Sequence, residues 1–303
     1  MSILNLIRWK NLLLIVLTQL LIKYALFEPF GIDITLNGFG FSLLIIATVC
    51  IAAAGNIIND IYDVETDLVN KPEKVIVNKH ISEKTATNLF IFFNVIGVGL
   101  GFYLANLVGR NGLFAVFVIV SALLYVYASY LKGVLIVGNL VISVLVALSI
   151  IIVGLFDLLP VITSENQETQ LTMFKILLDY SLFAFTINFL REMNKDMEDI
   201  DGNYKAGLNT LPIAIGRERS AKIIFVLSII PILTTTYYTV TYLYKQEVAV
   251  GYFLVFIIAP MVYVSIKAFS AYTKKEYHLL SNLLKIILLT GVLSLLLYPF
   301  ILK

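Results

Sequence analysis

NDIYDVETD, at residues 59–67, closes a run of apolar residues that is long enough to cross a lipid bilayer. The same acidic spacing returns in the second half of the chain, where KDMEDIDGN occupies residues 195–203 after another apolar run. Offsets of zero, three and seven place the three motif side chains on one face of a helix. Because carboxylates at a helix C-terminus repel one another and oppose the macrodipole, two such clusters indicate a bound cation.

The composition is that of a polytopic membrane protein. Hydrophobic residues make up 59% of the 303 positions and charged residues only 14%, which leaves too little polar surface for a soluble globule. We therefore predict a single all-α membrane domain over residues 1–303. Apolar runs of about twenty residues predict its membrane-spanning helices. The nine runs lie at residues 10–30, 38–59, 86–107, 112–131, 135–156, 172–191, 221–243, 248–269 and 283–301.

The loops differ in charge, and this difference predicts how the chain is oriented in the cell (inner) membrane. Most of the 22 Lys and Arg residues fall in every second loop, counting the N-terminal segment as the first. Since short cytoplasmic loops accumulate basic residues, we expect the N-terminus and both acidic clusters to face the cytoplasm. With nine spans, the C-terminus at Lys303 is then expected outside.

Repetition of the acidic spacing suggests two related halves, spans one to four and spans five to eight, with a ninth helix added. Two halves that point the same way would bring their acidic faces together over one cavity that opens near the cytoplasmic face. Helix breakers follow each cluster: Pro72 after the first, and Gly207 with Pro212 after the second. The clusters are therefore expected at helix ends and not in mid-membrane.

Carboxylates with one or two amides suit Mg²⁺, which shares them with substrate phosphates. The predicted metal ligands are Asn59, Asp60, Asp63, Asp67, Asp196 and Asp199. Nearby basic, amide and tyrosine side chains can hold phosphate oxygens or stabilise a cation. The predicted substrate-binding residues are Asn59, Lys71, Lys74, Lys132, Arg191, Lys195, Asn203, Tyr127 and Asn139, and the predicted catalytic residues are Asp63, Asp199, Lys132 and Arg191.

A diphosphate site above an apolar bundle suits a lipid diphosphate, whose ionisation leaves an allylic cation for an acceptor to attack. A divalent-cation transporter is an alternative of another class, and it predicts ionisable groups throughout the bundle. The net charge of +2 gives no indication of nucleic-acid binding. Cys50 is the only cysteine, which excludes an intramolecular disulfide.

The longer stretch NDIYDVETDLVNKPEKVIVNKHIS resembles the first signature of the UbiA-type intramembrane prenyltransferase superfamily, and REMNKDMEDIDGNYKAGLNTLPIAIG resembles the second. The resemblance implies a bundle of nine helices that binds a prenyl diphosphate through Mg²⁺. By that resemblance the motif aspartates position the metal, Asn59 orients the cluster, and Lys71, Lys132 and Arg191 neutralise the diphosphate. Two departures from the pattern are Asn203, in place of the usual last aspartate, and a loop less rich in Arg and Pro.

Within the superfamily, the second stretch is most similar to the enzymes that prenylate geranylgeranylglyceryl phosphate. This resemblance implies transfer of a prenyl group, geranylgeranyl in those enzymes, to the hydroxyl of that lipid. An aromatic acceptor, as in the hydroxybenzoate or naphthoate enzymes of quinone biosynthesis, is the alternative within the same fold. The implied partners are a prenyl diphosphate, a lipid or aromatic acceptor and the membrane lipids.

Overall fold

Nine helices in residues 2–301, the part of the chain that this computed structural model describes, are long and apolar enough to cross a membrane. They are α1 (Trp9–Phe30), α2 (Gly38–Tyr62), α3 (Glu83–Leu107), α4 (Asn111–Ser129), α5 (Val137–Val161), α6 (Gln167–Glu198), α7 (Arg217–Tyr242), α8 (Glu247–Ser270) and α9 (Lys274–Phe300). The predicted all-α bundle is confirmed. Lys303, on which the predicted outer C-terminus falls, lies outside the described residues.

Polar ends make several helices longer than their apolar runs. The run at 172–191 becomes a helix that continues to Glu198, and the run at 283–301 becomes one that begins at Lys274. Backbone hydrogen bonding continues into water, whereas the hydropathy signal ends at the membrane surface. Thr273 and Glu276 form a capping box at the start of α9. The extension of α6 therefore carries the second acidic cluster beyond its apolar segment.

Six of the nine helices enclose a central cavity. Its lining residues come from α1, α2, α4, α5, α6 and α9. In this arrangement α1 packs against α2, α5 and α9, and α6 packs against α5 and α9. The remaining helices pack on the flanks, α3 against α2 and α4, and α7 against α6 and α8. The two acidic helices, α2 and α6, thus both belong to the wall of the cavity.

Glycine allows α3 to lie directly against α2. A Cβ atom at Gly97 would lie 2.6 Å from Cγ1 of Ile51 and 3.1 Å from the backbone oxygen of Ala47. Two residues further along α3, a Cβ atom at Gly99 would meet nothing within 4 Å. In a bilayer, where lipid is as apolar as the helix surface, such close approach supplies much of the packing that joins helices.

We expect Gly97→Ala to lower the thermal midpoint of the protein in detergent, because an added methyl group in a packed interface costs about 1–3 kcal/mol. Gly99→Ala is the matched control, since it adds the same methyl group on the same helix where there is room. The two midpoints can be compared by fluorescence-detected thermal unfolding. Equal midpoints for the two variants would contradict the close contact between α2 and α3.

Candidate active site

Both acidic clusters have the same local architecture. After Tyr62 the chain passes through Asp63 (φ −89°, ψ −1°) into a short helix, Val64–Asn70. At the end of α6 the chain passes through Asp199 (φ −102°, ψ 15°) into a second short helix, Ile200–Lys205. The repeated spacing in the sequence thus corresponds to a repeated break, with an aspartate at each junction.

The side chain of Asn70 joins the two short helices. Its Oδ1 accepts a hydrogen bond from the backbone N–H of Gly202 at 2.9 Å, and its Nδ2 donates to the backbone oxygen of Asp199 at 3.0 Å. Gly202 has no side chain to obstruct this contact, whereas a Cβ atom there would overlap Asn70 and lie 2.7 Å from the backbone oxygen of Thr66. The two acidic segments therefore meet through one buried amide.

Every ion pair or hydrogen bond of the first cluster joins an acid to a group of opposite charge or to an amide. Asp60 Oδ1 accepts from Nη2 of Arg8 at 2.6 Å. Asp63 accepts from Nδ2 of Asn59 at 2.6 Å and from Nζ of Lys132. Arg8 lies between the short helix Ser2–Leu6 and α1, and its backbone has a left-handed conformation (φ 53°). Asp60 and Asp63 of the first half-site are thus already electrostatically compensated.

The second cluster is compensated in the same manner. Asp196 Oδ2 accepts from Nδ2 of Asn139 at 2.8 Å, and Asp199 Oδ2 accepts from Nζ of Lys71 at 2.8 Å. The same ammonium lies 3.5 Å from Glu198. Lys71 follows the first cluster in the sequence, so this pair crosses between the halves of the chain. Removing the side chain of Lys71 would leave the partly buried carboxylates of Asp199 and Glu198 without this counter-ion.

Two pKa shifts reflect this crowding of charge. Burial, reinforced by the negative charge of Asp63, raises the pKa of Asp67 to about 6. Burial alone would lower the pKa of Lys71, but the carboxylates of Asp199 and Glu198 outweigh it, so the pKa of Lys71 is raised. The ammonium at this junction therefore remains charged at neutral pH.

A cavity of about 280 Å³ opens beside these acids and runs into the bundle. The end beside the acids is lined by polar and charged side chains: Arg8, Asn11, Asn56, Asn59, Tyr127, Asn188, Arg191, Glu192, Lys195 and Lys285. Its depth is lined mainly by apolar side chains, among them Ile51, Val116, Phe117, Leu145, Ile152 and Leu288. A molecule with an anionic head and a hydrocarbon chain fits this division.

The structure brings most of the predicted site residues together, in two groups. Asn59, Tyr127, Arg191 and Lys195 line the cavity. The network of acid pairs beside it contains Asp60, Asp63, Asp196, Asp199, Lys71, Lys132 and Asn139. The side chains of three predicted residues neither line the cavity nor pair with another site residue in the described structure: Lys74 is exposed on the turn Pro72–Lys74, Asp67 is half-buried on the first short helix, and Asn203 is buried on the second.

The donor chemistry fits a magnesium ion. Oδ1 of Asp199 is buried and has no hydrogen-bond partner among the described residues, and an unpaired carboxylate oxygen is a ligand for a hard cation. Within residues 2–301, no group of three or more His, Cys, Asp or Glu side chains is already gathered closely enough to hold a metal. The carboxylates are held apart by their basic and amide partners, so metal binding has to exchange those contacts.

The model of the UbiA prenyltransferase family matches residues 33–287, which is most of the chain. The chain belongs to this family. A digeranylgeranylglyceryl phosphate synthase from Korarchaeum cryptofilum is 33% identical over 185 residues, or 60% of this chain and 58% of the relative. The synthase of that name from Methanosphaera stadtmanae is 30% identical over 261 residues, 83% of this chain and 86% of the relative.

The nine-helix fold recurs in a solved structure of the UbiA family. A UbiA homologue from Archaeoglobus fulgidus, bound to DMAPP and Mg²⁺, has a TM-score of 0.56 and 16% identity, with 98% of this chain and 99% of the homologue covered. At this identity the likeness shows the fold alone. The matched part of the chain spans less than two thirds of the Korarchaeum cryptofilum relative.

Four residues of this UbiA-family site escaped sequence reasoning. Arg8 and Lys285 counted there only as basic residues of the inner loops, yet both line the cavity. Glu192 forms ion pairs with the neighbouring Arg191 and Lys195. The amino-acid sequence alone does not show whether such a charged group faces a cavity. Asn70 had a usable signal, because it continues the spacing of the first acidic face by three residues.

We expect Asn70→Ala to lower the thermal midpoint, because it removes two hydrogen bonds and leaves a buried N–H and C=O unpaired, at about 1–3 kcal/mol each. Asn70→Asp keeps an acceptor for Gly202 and should fall between Asn70→Ala and the unaltered protein. Asn106→Ala is the control, since Asn106 is exposed and bonds only to Phe102, one turn away on its own helix. A midpoint for Asn70→Ala equal to that of Asn106→Ala would contradict the role of Asn70 in joining the two short helices.

Proposed function

We propose that this protein is an Mg²⁺-dependent prenyltransferase that moves a geranylgeranyl group from its diphosphate to the hydroxyl of geranylgeranylglyceryl phosphate. The observation that carries the proposal is the acidic, amide-rich site opening directly onto an apolar cavity. The acidic site suits a diphosphate with its metal, and the apolar cavity suits the hydrocarbon chain of the same substrate. The names of the Korarchaeum cryptofilum and Methanosphaera stadtmanae relatives support the lipid acceptor.

In the proposed reaction the bond between C1 of the prenyl group and the diphosphate oxygen breaks. The acceptor hydroxyl oxygen bonds to C1, and its proton passes to water or to the released diphosphate. The motif aspartates and Asn59 would hold Mg²⁺, which would stabilise the leaving diphosphate as a Lewis acid. Lys71 and Lys132, which pair with Asp199 and Asp63 in the structure, would neutralise the diphosphate oxygens.

The cavity lining supports the remaining part of the mechanism. Its apolar depth holds the prenyl chain and excludes water, which would otherwise quench the allylic cation. Tyr127 lies at the end of the cavity beside the acids, where the face of its ring can stabilise positive charge. Arg191 lies at the same end of the cavity and was predicted from the sequence to neutralise the diphosphate.

The two alternatives have less support. A cation pathway requires ionisable or strongly polar groups along its length, whereas the depth of the described cavity is lined by apolar residues with Thr18, Thr48 and Ser149. An aromatic acceptor would be compatible with the fold. We favour the glycerol phosphate because the curated relatives described above carry that activity in their names.

We expect Asp63→Ala and Asp199→Ala to abolish turnover, because each removes a predicted metal ligand and frees the lysine that pairs with it. Asp201→Ala is the matched control: Asp201 is two residues from Asp199, and its side chain is 81% exposed. Product from geranylgeranyl diphosphate and geranylgeranylglyceryl phosphate is measured by mass spectrometry. Full activity in either Asp63→Ala or Asp199→Ala would remove the basis for the metal assignment.

Chelation provides an independent test of the metal. With excess EDTA the unaltered protein should form no product, and Mg²⁺ added beyond the chelator should restore turnover, because the carboxylate site requires a hard divalent cation. Thermal midpoints taken in both conditions establish that the protein stays folded. Turnover that persists in EDTA would argue against Mg²⁺ dependence.

We also propose that residues 1–303 form one domain in the cell membrane, with the N-terminus and the acidic ends in the cytoplasm. The hydrophobic core includes residues from all nine spanning helices, which supports a single domain. The basic residues gathered around the acidic ends support the orientation.

Cysteine labelling tests the orientation, since Cys50 is the only cysteine and is 7% exposed. On a Cys50→Ala background, Lys245→Cys should react with a membrane-impermeant maleimide in intact cells. His80→Cys should react only after permeabilisation, because its loop is expected in the cytoplasm. Both positions are exposed in the structure, so they form a matched pair. The reverse labelling pattern would invert the proposed topology.

A further inference from the structure

We infer that Arg191, Lys195 and Lys285 form a binding site for the phosphate monoester of the acceptor, on the cavity wall and separate from the site of the prenyl diphosphate. This inference rests on the proposed function and specifies how its acceptor is held. It assigns a role to Lys285, limits the predicted substrate-binding role of Lys195 to the acceptor, and replaces the predicted neutralisation of the diphosphate by Arg191.

The cations of the site divide into two sets by what they contact. Lys71 and Lys132 pair with the motif aspartates, Asp199 and Asp63. Arg191, Lys195 and Lys285 have no hydrogen bond or ion pair to a motif aspartate in the described structure, and they line the cavity. The first set therefore belongs with the metal and the diphosphate, and the second set is available to another anion.

The second set carries an excess of positive charge. Arg191 Nη1 lies 2.7 Å from Oε1 of Glu192, and Lys195 Nζ lies 2.9 Å from Oε2 of the same carboxylate. Lys285 Nζ donates to the neutral Oδ1 of Asn11 at 2.6 Å. Among the side chains that line this wall, three cations less one anion leave a net charge of +2, because Arg8, at its edge, is compensated by Asp60. Asp196 is one residue after Lys195 but does not line the cavity, and its Oδ2 accepts from the amide of Asn139.

A charge of +2 at the mouth of an apolar cavity is costly without a counter-ion. A phosphate monoester carries a charge of about −1.5 to −2 at neutral pH and three acceptor oxygens. It therefore matches the charge of +2, and its three oxygens match the three donor side chains of this wall. The guanidinium of Arg191 can bind two of these oxygens at once. A singly charged benzoate would leave part of the charge uncompensated.

The helices also place the three donors so that one headgroup can reach them. Arg191 and Lys195 are one turn apart on α6 and share a face, with Asn188 one turn deeper on the same helix. Lys285 comes from α9, which packs directly against α6. A phosphate held here leaves the hydrocarbon chain of the acceptor directed into the apolar depth, beside the prenyl chain of the donor.

The test compares Lys285→Met and Lys195→Met with Lys275→Met. Lys275 is on the same helix as Lys285, is exposed and does not line the cavity. We expect the first two variants to raise the KM for geranylgeranylglyceryl phosphate about ten-fold, which corresponds to about 1.4 kcal/mol for one lost charged contact. The KM for geranylgeranyl diphosphate and all parameters of Lys275→Met should stay unchanged. Lys285→Arg should restore acceptor binding.

A measurement of acceptor binding in the absence of turnover tests the phosphate site separately from prenyl transfer. In EDTA, labelled geranylgeranylglyceryl phosphate should bind the unaltered protein, and its Kd should rise about ten-fold in Lys285→Met. The unphosphorylated geranylgeranylglycerol should bind both proteins equally and more weakly than the phosphate does to the unaltered protein. Thermal midpoints confirm that each variant is folded.

The outcomes distinguish the two proposals. If the unaltered protein prenylates the glycerol phosphate but the variants raise the KM of the prenyl diphosphate alone or both KM values equally, the separate phosphate site is wrong and the proposed function stands. If the unaltered protein prenylates only an aromatic acid, the proposed function is wrong and the acceptor-phosphate site falls with it. Binding in EDTA that is independent of the acceptor's phosphate would also overturn the inference.

Discussion

The contact between the two short helices, made by the side chain of Asn70, is the constraint on which the site depends. Each acidic cluster alone is half of a ligand set, on a helix from a different half of the chain. The amide fixes the distance between Val64–Asn70 and Ile200–Lys205 because it bonds both the backbone N–H of Gly202 and the backbone oxygen of Asp199. Without it, the ion pair of Lys71 with Asp199 and the packing of the bundle would have to hold the halves in register.

The pairing of the motif acids is the second condition that shapes the site. Carboxylates at the boundary of an apolar bundle would repel one another, so the sequence supplies a cation or an amide for each of Asp60, Asp63, Asp196 and Asp199. The same cations suit the oxygens of a diphosphate. A substrate that arrives with its metal therefore exchanges partners with groups already in place, and no buried charge has to be created for it.

Much of this could be predicted from the sequence. Continuous apolar runs predict the number and approximate position of the spans, since only helices and closed barrels satisfy the backbone in lipid and barrel strands alternate in polarity. The repeated acidic spacing predicts two helix ends with equivalent faces. What the pattern does not contain is which side chain from another helix meets each acid. Asp60 meets Arg8 and Asp196 meets Asn139, and such pairs across the bundle depend on helix rotation that hydropathy leaves undetermined.

The close fit of Gly202 against Asn70 has an evolutionary consequence. The two residues are 132 positions apart in the chain, and the amide fills the space that any larger residue at 202 would require. A larger residue at 202 therefore requires a smaller or displaced side chain at 70. In homologous proteins, a substitution of the glycine should be accompanied by a substitution of the asparagine, which couples the two halves of the chain as they diverge.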